Sequence, residues 1–539
     1  DTPMRRDPAL AACLAAKDAL RLEAVAIART GPVVILATRR PDLARAVQAA
    51  ARLKPNQRAV VVLASQSRIL SMQLSLYGDA LARLAEGQAP LQVSCRSWKT
   101  GIAGRGTALA LLAIVAMSLV FPVAMVALAY AVALLIFVGN MVLKILAFAT
   151  TMRANRKARP QQAEPRDMPA RLPIVTILVP LFHEREIAVA LLHWLSRLDY
   201  PPECLDVLFV IEQDDLLTRA ALAAVPLPAW ARVLTVPPGH PRTKPRALNF
   251  ALNFARGEIV GIYDAEDRPE PDQLLRVAHR FAELGPETAC LQGQLDYHNA
   301  HHNLLARLFA IEYAVWFRVL LPGVQRMGLV VPLGGTTLFL RRDVLEAVGG
   351  WDAHNVTEDA ELGLRLARLG YRTEILETTT YEEANAALIP WIRQRARWQK
   401  GYLLTWAIAM RRPWRLCQEL GTARFLALQI QLFCAVAGFL AAPLLWWLMV
   451  KPFGYAHPLD AVVGPFGYGV LATIFVASVV LSISIALYAT RARHLRRLRV
   501  FIPLSELYFL LGTLSAVKAA SQMLMRPFFW DKTRHGGFG

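Results

Sequence analysis

Glu258-Ile-Val-Gly-Ile-Tyr-Asp-Ala-Glu-Asp267 is an apolar run that ends abruptly in three carboxylates. A short run rich in β-branched and aromatic residues reads as a buried strand. Two further runs upstream have the same form. Ile174-Val-Thr-Ile-Leu-Val-Pro180 leads into Leu-Phe-His-Glu184, and Leu205-Asp-Val-Leu-Phe-Val-Ile211 leads into Glu212-Gln-Asp-Asp215. Helical segments lie between them, which is the βαβ grammar of an open sheet whose ligands sit beyond the carboxyl ends of its strands. One acidic strand end is commonplace; three in succession point to a shared site. Asp264 and Glu266, one residue apart at a strand exit, suit a hard divalent ion whose other oxygens come from a diphosphate.

Downstream the polar chemistry continues. Lys244, in Thr243-Lys-Pro-Arg-Ala-Leu-Asn249, precedes a helix and is placed to touch phosphate; a solvated lysine is the plain alternative. Thr357-Glu-Asp359 opens a helix that buries Leu362, Leu366 and Leu369 and stops at Gly370, with Thr357 as its N-cap. A helix start favours ionised carboxylates, so Glu358 and Asp359 are catalytic candidates, with Asp359 as a general base. Their plain alternative is to stabilise that helix start. In Ile389–Gly401, Gln394, Arg397 and Trp398 share one helical face and offer an amide, a guanidinium and a large ring to a sugar. The alternative is an interfacial helix at a lipid headgroup belt.

Further out the chain turns apolar. Hydrophobic residues make up 55% of the 539 residues and charged residues 19%, with mean hydropathy +0.34. That balance is too apolar for an ordinary soluble enzyme and reads as a membrane protein with a large soluble part. Residues 105–152 hold two transmembrane helices turning near Phe121-Pro122, and 425–490 hold two more. Residues 401–424 read as an interfacial helix, and 500–526 as an amphipathic interfacial or re-entrant helix because Glu506, Lys518 and Gln522 interrupt it. The net charge is +19. Its basic residues cluster beside the apolar runs, so lipid and the positive-inside rule account for them and nucleic acid is not expected as a partner. Residues 1–100 read as a small soluble α/β unit with a regulatory or docking role, built on Pro32–Ala37 and Ala59–Ala64 as strands. The six cysteines are scattered without metal-ligand spacing and read as reduced.

Taken together, strand-end Glu212, Asp264-x-Glu266, Thr357-Glu-Asp359 and Gln394-x-x-Arg397-Trp398, flanked by membrane helices, resemble the processive family-2 glycosyltransferases: cellulose, curdlan and mixed-linkage β-glucan synthases. The resemblance covers about 173 to 537. It implies a cytosolic GT-A glycosyltransferase domain over 173–400, inserted between α-helical transmembrane segments in a bacterial inner membrane. It also implies a UDP-sugar donor, most often UDP-glucose, a growing polysaccharide acceptor, and Mg²⁺ or Mn²⁺. Glu184, Glu212, Lys244 and Asp264 would then meet the donor, Asp264 and Glu266 the metal, and Gly335, Thr336, Gln394, Arg397 and Trp398 the acceptor. Trp530, Lys532, Thr533 and Arg534 resemble a gating loop over the donor. Glu266 stands where the family more often has Asp, and Glu212 likewise. Four spans are few for a private polysaccharide channel, which leaves room for a homo-oligomer or a partner subunit. Two rival readings stand beside this one: a non-processive transferase to a lipid-linked acceptor, and an inner-membrane receptor or assembly protein on a glycosyltransferase scaffold.

Overall fold

The computed structural model describes residues 7–98, 100–157, 171–184 and 187–529. Near the N-terminus, β1 (Ala24–Thr30), β2 (Val33–Thr38) and β3 (Arg58–Leu63) form a three-stranded sheet. β1 and β2 are antiparallel, and β2 and β3 parallel. Strands were expected at the last two; β1 escaped because Ala24-Val-Ala-Ile-Ala lacks a strong β-branched run. The helix Gln66–Glu86 covers this sheet, capped by the Ser65 hydroxyl on Arg68 N (3.4 Å).

A mixed sheet of eight strands forms the centre. These are β4 (Val175–Leu181), β5 (Leu205–Glu212), β6 (Ala231–Val236), β7 (Ile259–Ile262), β8 (Arg268–Pro269), β9 (Thr288–Tyr297), β10 (Leu338–Arg341) and β11 (Arg372–Glu382). Their order is β6-β5-β4-β7-β10-β9-β11-β8. β4, β5, β6 and β7 are parallel neighbours, as βαβ connections require. β10 runs antiparallel to both β7 and β9, so β9 and its parallel partner β11 point the same way as β7. The sheet is therefore mixed rather than purely parallel. Gly257 and Gly261 let backbones close up here. A β-carbon on Gly257 would stand 2.5 Å from Thr176 N.

One face of this sheet shares its core with the N-terminal unit. Leu36, Met72 and Tyr77 belong to the same apolar interior as Leu208, Phe250 and Leu366. On the opposite face Ile177, Phe209, Val277 and Phe281 form a second cluster.

Among the described residues, four helices are long and apolar enough to cross a membrane: Pro122–Lys157, Thr422–Trp447, Pro465–Ala489 and Arg493–Met525. Gly104–Val120 is a shorter apolar helix, divided from the next by Phe121. Residues 500–526, expected as an amphipathic interfacial or re-entrant helix, overlap the last long helix. Its polar residues do not all face lipid; Glu506 lines an internal cavity. Among the helices joining the two regions, Leu388–Ala409 packs along Ser505–Met525. Leu321–Arg326 packs on Pro122–Lys157, where Gly323 meets the backbone of Ala147. All six cysteines are free thiols.

Candidate active site

The parallel run of β4, β5 and β7 brings three acidic ends to one edge of the sheet. Glu184 is 9% exposed and Glu212 6%. The β4 exit is held by Asp215, whose carboxylate accepts from His183 N (2.7 Å) and from the Thr218 hydroxyl (2.7 Å). The same hydroxyl accepts from Glu184 N (2.9 Å). Glu212 is bonded from behind: Arg246 Nη1 donates to both its oxygens, at 3.2 and 3.3 Å. Burial pushes the Glu212 carboxyl up, and Arg246 and Arg242 oppose that.

At the β7 exit the Asp264 loop is tied down by Asp267, which is fully buried. Asp267 Oδ2 accepts from Asp264 N (2.8 Å) and from the Thr336 hydroxyl. Its other oxygen has no hydrogen-bond partner. Burial first, then the charges of Asp264 and Glu266, push its carboxyl well up. Lys244 opens the helix Lys244–Leu252 and crosses to the loop. Its ammonium pairs with Asp264 Oδ1 and donates to Gly335 O (2.9 Å). Burial works against the Lys244 charge, but Asp264, Glu358 and Asp359 around it outweigh burial and keep it protonated.

Asp264 and Glu266 both line the cavity and offer only hard oxygen donors. Among the described residues no three His, Cys, Asp or Glu side chains form a metal cage. The pair thus fits Mg²⁺ or Mn²⁺ that takes its remaining oxygens from a bound diphosphate and water, in competition with Lys244 for Asp264.

Sequence reasoning missed Glu382. It ends β11, lines the same cavity, and its carboxyl is pushed well up by burial and then by Asp267, Glu266 and Asp264. The signal was present. Thr378-Thr-Thr-Tyr381 is a β-branched and aromatic run ending in Glu382-Glu383, the same strand-then-carboxylate pattern as at Glu212. Because β11 parallels β7, Glu382 emerges on the edge that carries Asp264.

Thr357 takes the N-cap position of the helix Glu358–Arg368, as expected, but its hydroxyl does not cap. Thr357 N and hydroxyl both donate to Asn355 Oδ1, at 3.0 and 3.4 Å. Burial pushes Asp359 up to about 6, against the pull of Ala360 N–H, Lys244 and Arg397. Burial, with the Asp359 charge, pushes Glu358 up to about 8. Burial thus raises both carboxyls, Glu358 further than Asp359, so Asp359 is the more readily ionised of the two.

The helix Leu388–Ala409 brings Gln394, Arg397 and Trp398 to the cavity wall. Gln394 Oε1 accepts from Asn385 Nδ2 (2.9 Å). Trp398 packs near Phe309 and Tyr313, with ring centroids 6.2 and 6.3 Å away. Arg395 lines the same cavity, pairs with Glu312 (2.6 Å through Nη1) and donates to the Tyr508 hydroxyl (3.1 Å). Gly335 lies on the cavity, where a β-carbon would stand 3.5 Å from Asp359 Oδ2. Thr336 is 1% exposed and turned to Asp267, so it supports the loop from behind. Thr337, next along, is a β-branched residue with φ +55°, a strained conformation of the kind that gathers at functional sites. Trp530, Lys532, Thr533 and Arg534 lie outside the described residues.

Glu184, Glu212, Lys244, Asp264, Glu266, Asp359, Glu382, Gln394, Arg397 and Trp398 line one cavity of about 780 Å³. It begins among the acidic strand ends and continues between the membrane-type helices, past Asn140, Lys144, Phe439, Trp446 and Phe475. The inner part is mostly apolar and aromatic.

Residues 259–489 match the family model described as glycosyl transferase family group 2. The chain is 27% identical over 237 residues to a probable glycosyltransferase YdaM of Bacillus subtilis, covering 43% of this chain and 55% of that one. It is 29% identical over 310 residues to a beta-monoglucosyldiacylglycerol synthase of Synechocystis, covering 54% and 63%. To cellulose synthase 1 of Komagataeibacter xylinus it is 28% identical over 247 residues, covering 44% and 15%. The chain spans little more than half the length of the first of these relatives. The matched region begins with β7 and takes in Asp264, Asp359 and the Gln394–Trp398 helix, so the similarity to family-2 glycosyltransferases falls on the candidate site.

Proposed function

We propose that the protein is a membrane-embedded inverting glycosyltransferase of GT-A type that polymerises a UDP-sugar, most often UDP-glucose, into a β-glucan and feeds it to the membrane. One observation carries the reading: a single cavity joins Glu212, Lys244 and Asp264 to Asp359 and Trp398, and then runs between the membrane-type helices. Glu184 and Glu212 face the nucleoside, and Lys244 faces the diphosphate. A divalent cation at Asp264 and Glu266, when bound, neutralises charge on that diphosphate. Asp359 takes the proton from an acceptor hydroxyl as its oxygen attacks the anomeric carbon, and the nucleoside diphosphate leaves. General-base help of this kind is worth roughly 10²–10⁴-fold. Gln394, Arg397 and Trp398 hold the acceptor's terminal sugar, and the aromatic cavity beyond retains the product between transfers.

The test is UDP release from purified protein with a panel of UDP-sugars, Mg²⁺ or Mn²⁺ present, and EDTA as control. Metal-dependent turnover of one donor names the monomer. Silence with every donor, together with no nucleotide binding, would replace the enzyme by an assembly scaffold.

A second reading is favoured by the apolar lining of the inner cavity and by the relative named for a glucosyldiacylglycerol product. In that reading the acceptor is a lipid whose chains occupy the space between the helices. Product that partitions into organic solvent and carries one sugar would establish it; long water-insoluble glucan would exclude it.

A further inference from the structure

The N-terminal unit reaches the site along a strap, Ala85–Ser97, that touches both halves of it. On the donor side, Asn249 of the helix Lys244–Leu252 donates to Ala85 O (3.1 Å) and to Trp351 O (2.8 Å). Arg246, on the same helix, has no exposed surface in its side chain. One end of its guanidinium holds Glu212. The other, Nη2, donates to Pro237 O, and Nε lies 3.7 Å from Glu86 Oε1. Arg246 Nε makes no hydrogen bond, so Glu86 acts on it by charge. Glu86 is itself fixed by His240 N at 2.9 Å. Gly239 permits this approach: a β-carbon there would stand 2.3 Å from Glu86 Oε1 and 2.4 Å from Arg246 Nη2.

On the base side, Asp352 is wholly buried. It accepts from Ser94 Oγ (2.7 Å), Cys95 N (2.6 Å) and His354 N (3.2 Å), so the strap supplies two of these three donors. A buried carboxylate depends on its donors, and losing them displaces the backbone that carries it. That backbone continues directly into Asn355, Thr357 and Asp359. It is also tied to the donor helix, because the Thr243 hydroxyl donates to Ala353 O (2.7 Å).

We propose that this strap is a working part of the active site. Glu86 is a positioning residue that sets the donor carboxylate Glu212 through Arg246, while Ser94 and Cys95 set the Asp359 loop through Asp352. The proposal rests on the reading of Glu212 as donor-facing and Asp359 as base. It assigns to the N-terminal unit a role in substrate geometry that its sequence, without a catalytic cluster, does not announce.

The two arms of the strap act on different steps, and that separates positioning from mere stability. In the full-length protein, Glu86→Ala is expected to raise the Kd for UDP roughly five- to tenfold and leave kcat near wild type. Glu86→Gln keeps an oxygen for His240 N and loses only the charge; it should behave like Glu86→Ala. Asp352→Asn is expected to do the reverse, lowering kcat about tenfold with UDP affinity retained. UDP binding by calorimetry, UDP release from UDP-glucose and a thermal melt are measured on each variant. Opposite splits at unchanged melting temperature support the strap. Parallel loss of affinity and kcat, tracking a lower melting temperature, overturns it, and so do unchanged constants in the variants. A wild-type protein that neither binds nor releases UDP overturns the donor reading itself, an outcome distinct from the other two.

Discussion

Gly401 lies so close to Thr357 that a β-carbon on it would stand 2.2 Å from the Thr357 hydroxyl oxygen. This contact seats the start of the base helix on the helix that carries Gln394, Arg397 and Trp398. Gly401→Ala forces Thr357 aside, and Asp359 two residues on moves with it. Misplacement of about 1 Å costs on the order of 10²-fold in rate. The expected outcome is a folded variant with turnover reduced by about that factor, measured as UDP release beside a thermal melt. Full turnover in the alanine variant would show that the contact does not set the base.

Asp359→Asn keeps the shape of the side chain and removes its basicity. UDP release should fall by roughly 10²–10⁴-fold while UDP binding is retained. An unchanged rate would remove Asp359 from the mechanism.

The pH profile carries the same assignment. Burial pushes Asp359 up to about 6, and only its ionised form accepts a proton. Turnover should therefore fall as pH drops through about 6 and level off above it. A plot of kcat/KM against pH checks this. An acid limb near the ordinary aspartate value would mean that the base is a solvated group elsewhere.

Trp398→Ala removes a ring from the acceptor side and leaves the donor side intact. Polymer length, read by gel filtration of the product, should shorten markedly, with UDP affinity unchanged. Full-length product from this variant would contradict its acceptor role.

Arg395 and Glu312 are a partly buried pair, with side-chain exposures of 12% and 17%. Arg395→Met leaves Glu312 with only the Tyr508 hydroxyl (2.7 Å). A loss of about 3 kcal/mol is expected, reduced where solvent reaches the pair. Arg395→Met combined with Glu312→Leu should recover most of it in a denaturation series.

Much of the central sheet was legible because its strands are short apolar runs with chemistry at their ends. Val175–Leu181, Leu205–Glu212 and Ile259–Ile262 match their expected spans to within one residue at either end. The antiparallel β10 was not legible: Leu338–Arg341 is four residues with no turn chemistry to announce its direction. At the site, residues marked by charge or aromatic ring come together: Glu212, Lys244, Asp264, Asp359 and Trp398 all line the one cavity. The family resemblance puts Thr336 at the acceptor surface, yet its hydroxyl is spent on Asp267. Glu382 was overlooked because its strand, with Glu374 and Glu377 inside it, reads as polar rather than core. Arg246 was passed over too, since an arginine on a helix next to a lysine looks like solvated charge until the fold buries it.

The apolar interior that runs unbroken from Leu36 and Tyr77 to Phe250 and Leu366 has a consequence for how the protein comes apart. The first hundred residues own no separate seam along which they might peel away, so these two regions should melt in a calorimeter as one transition. For the same reason they cannot be traded between relatives like a cassette. An exchange would have to carry the facing surface of Lys244–Leu252 with it, and a chain trimmed before residue 100 would present that surface to water and aggregate.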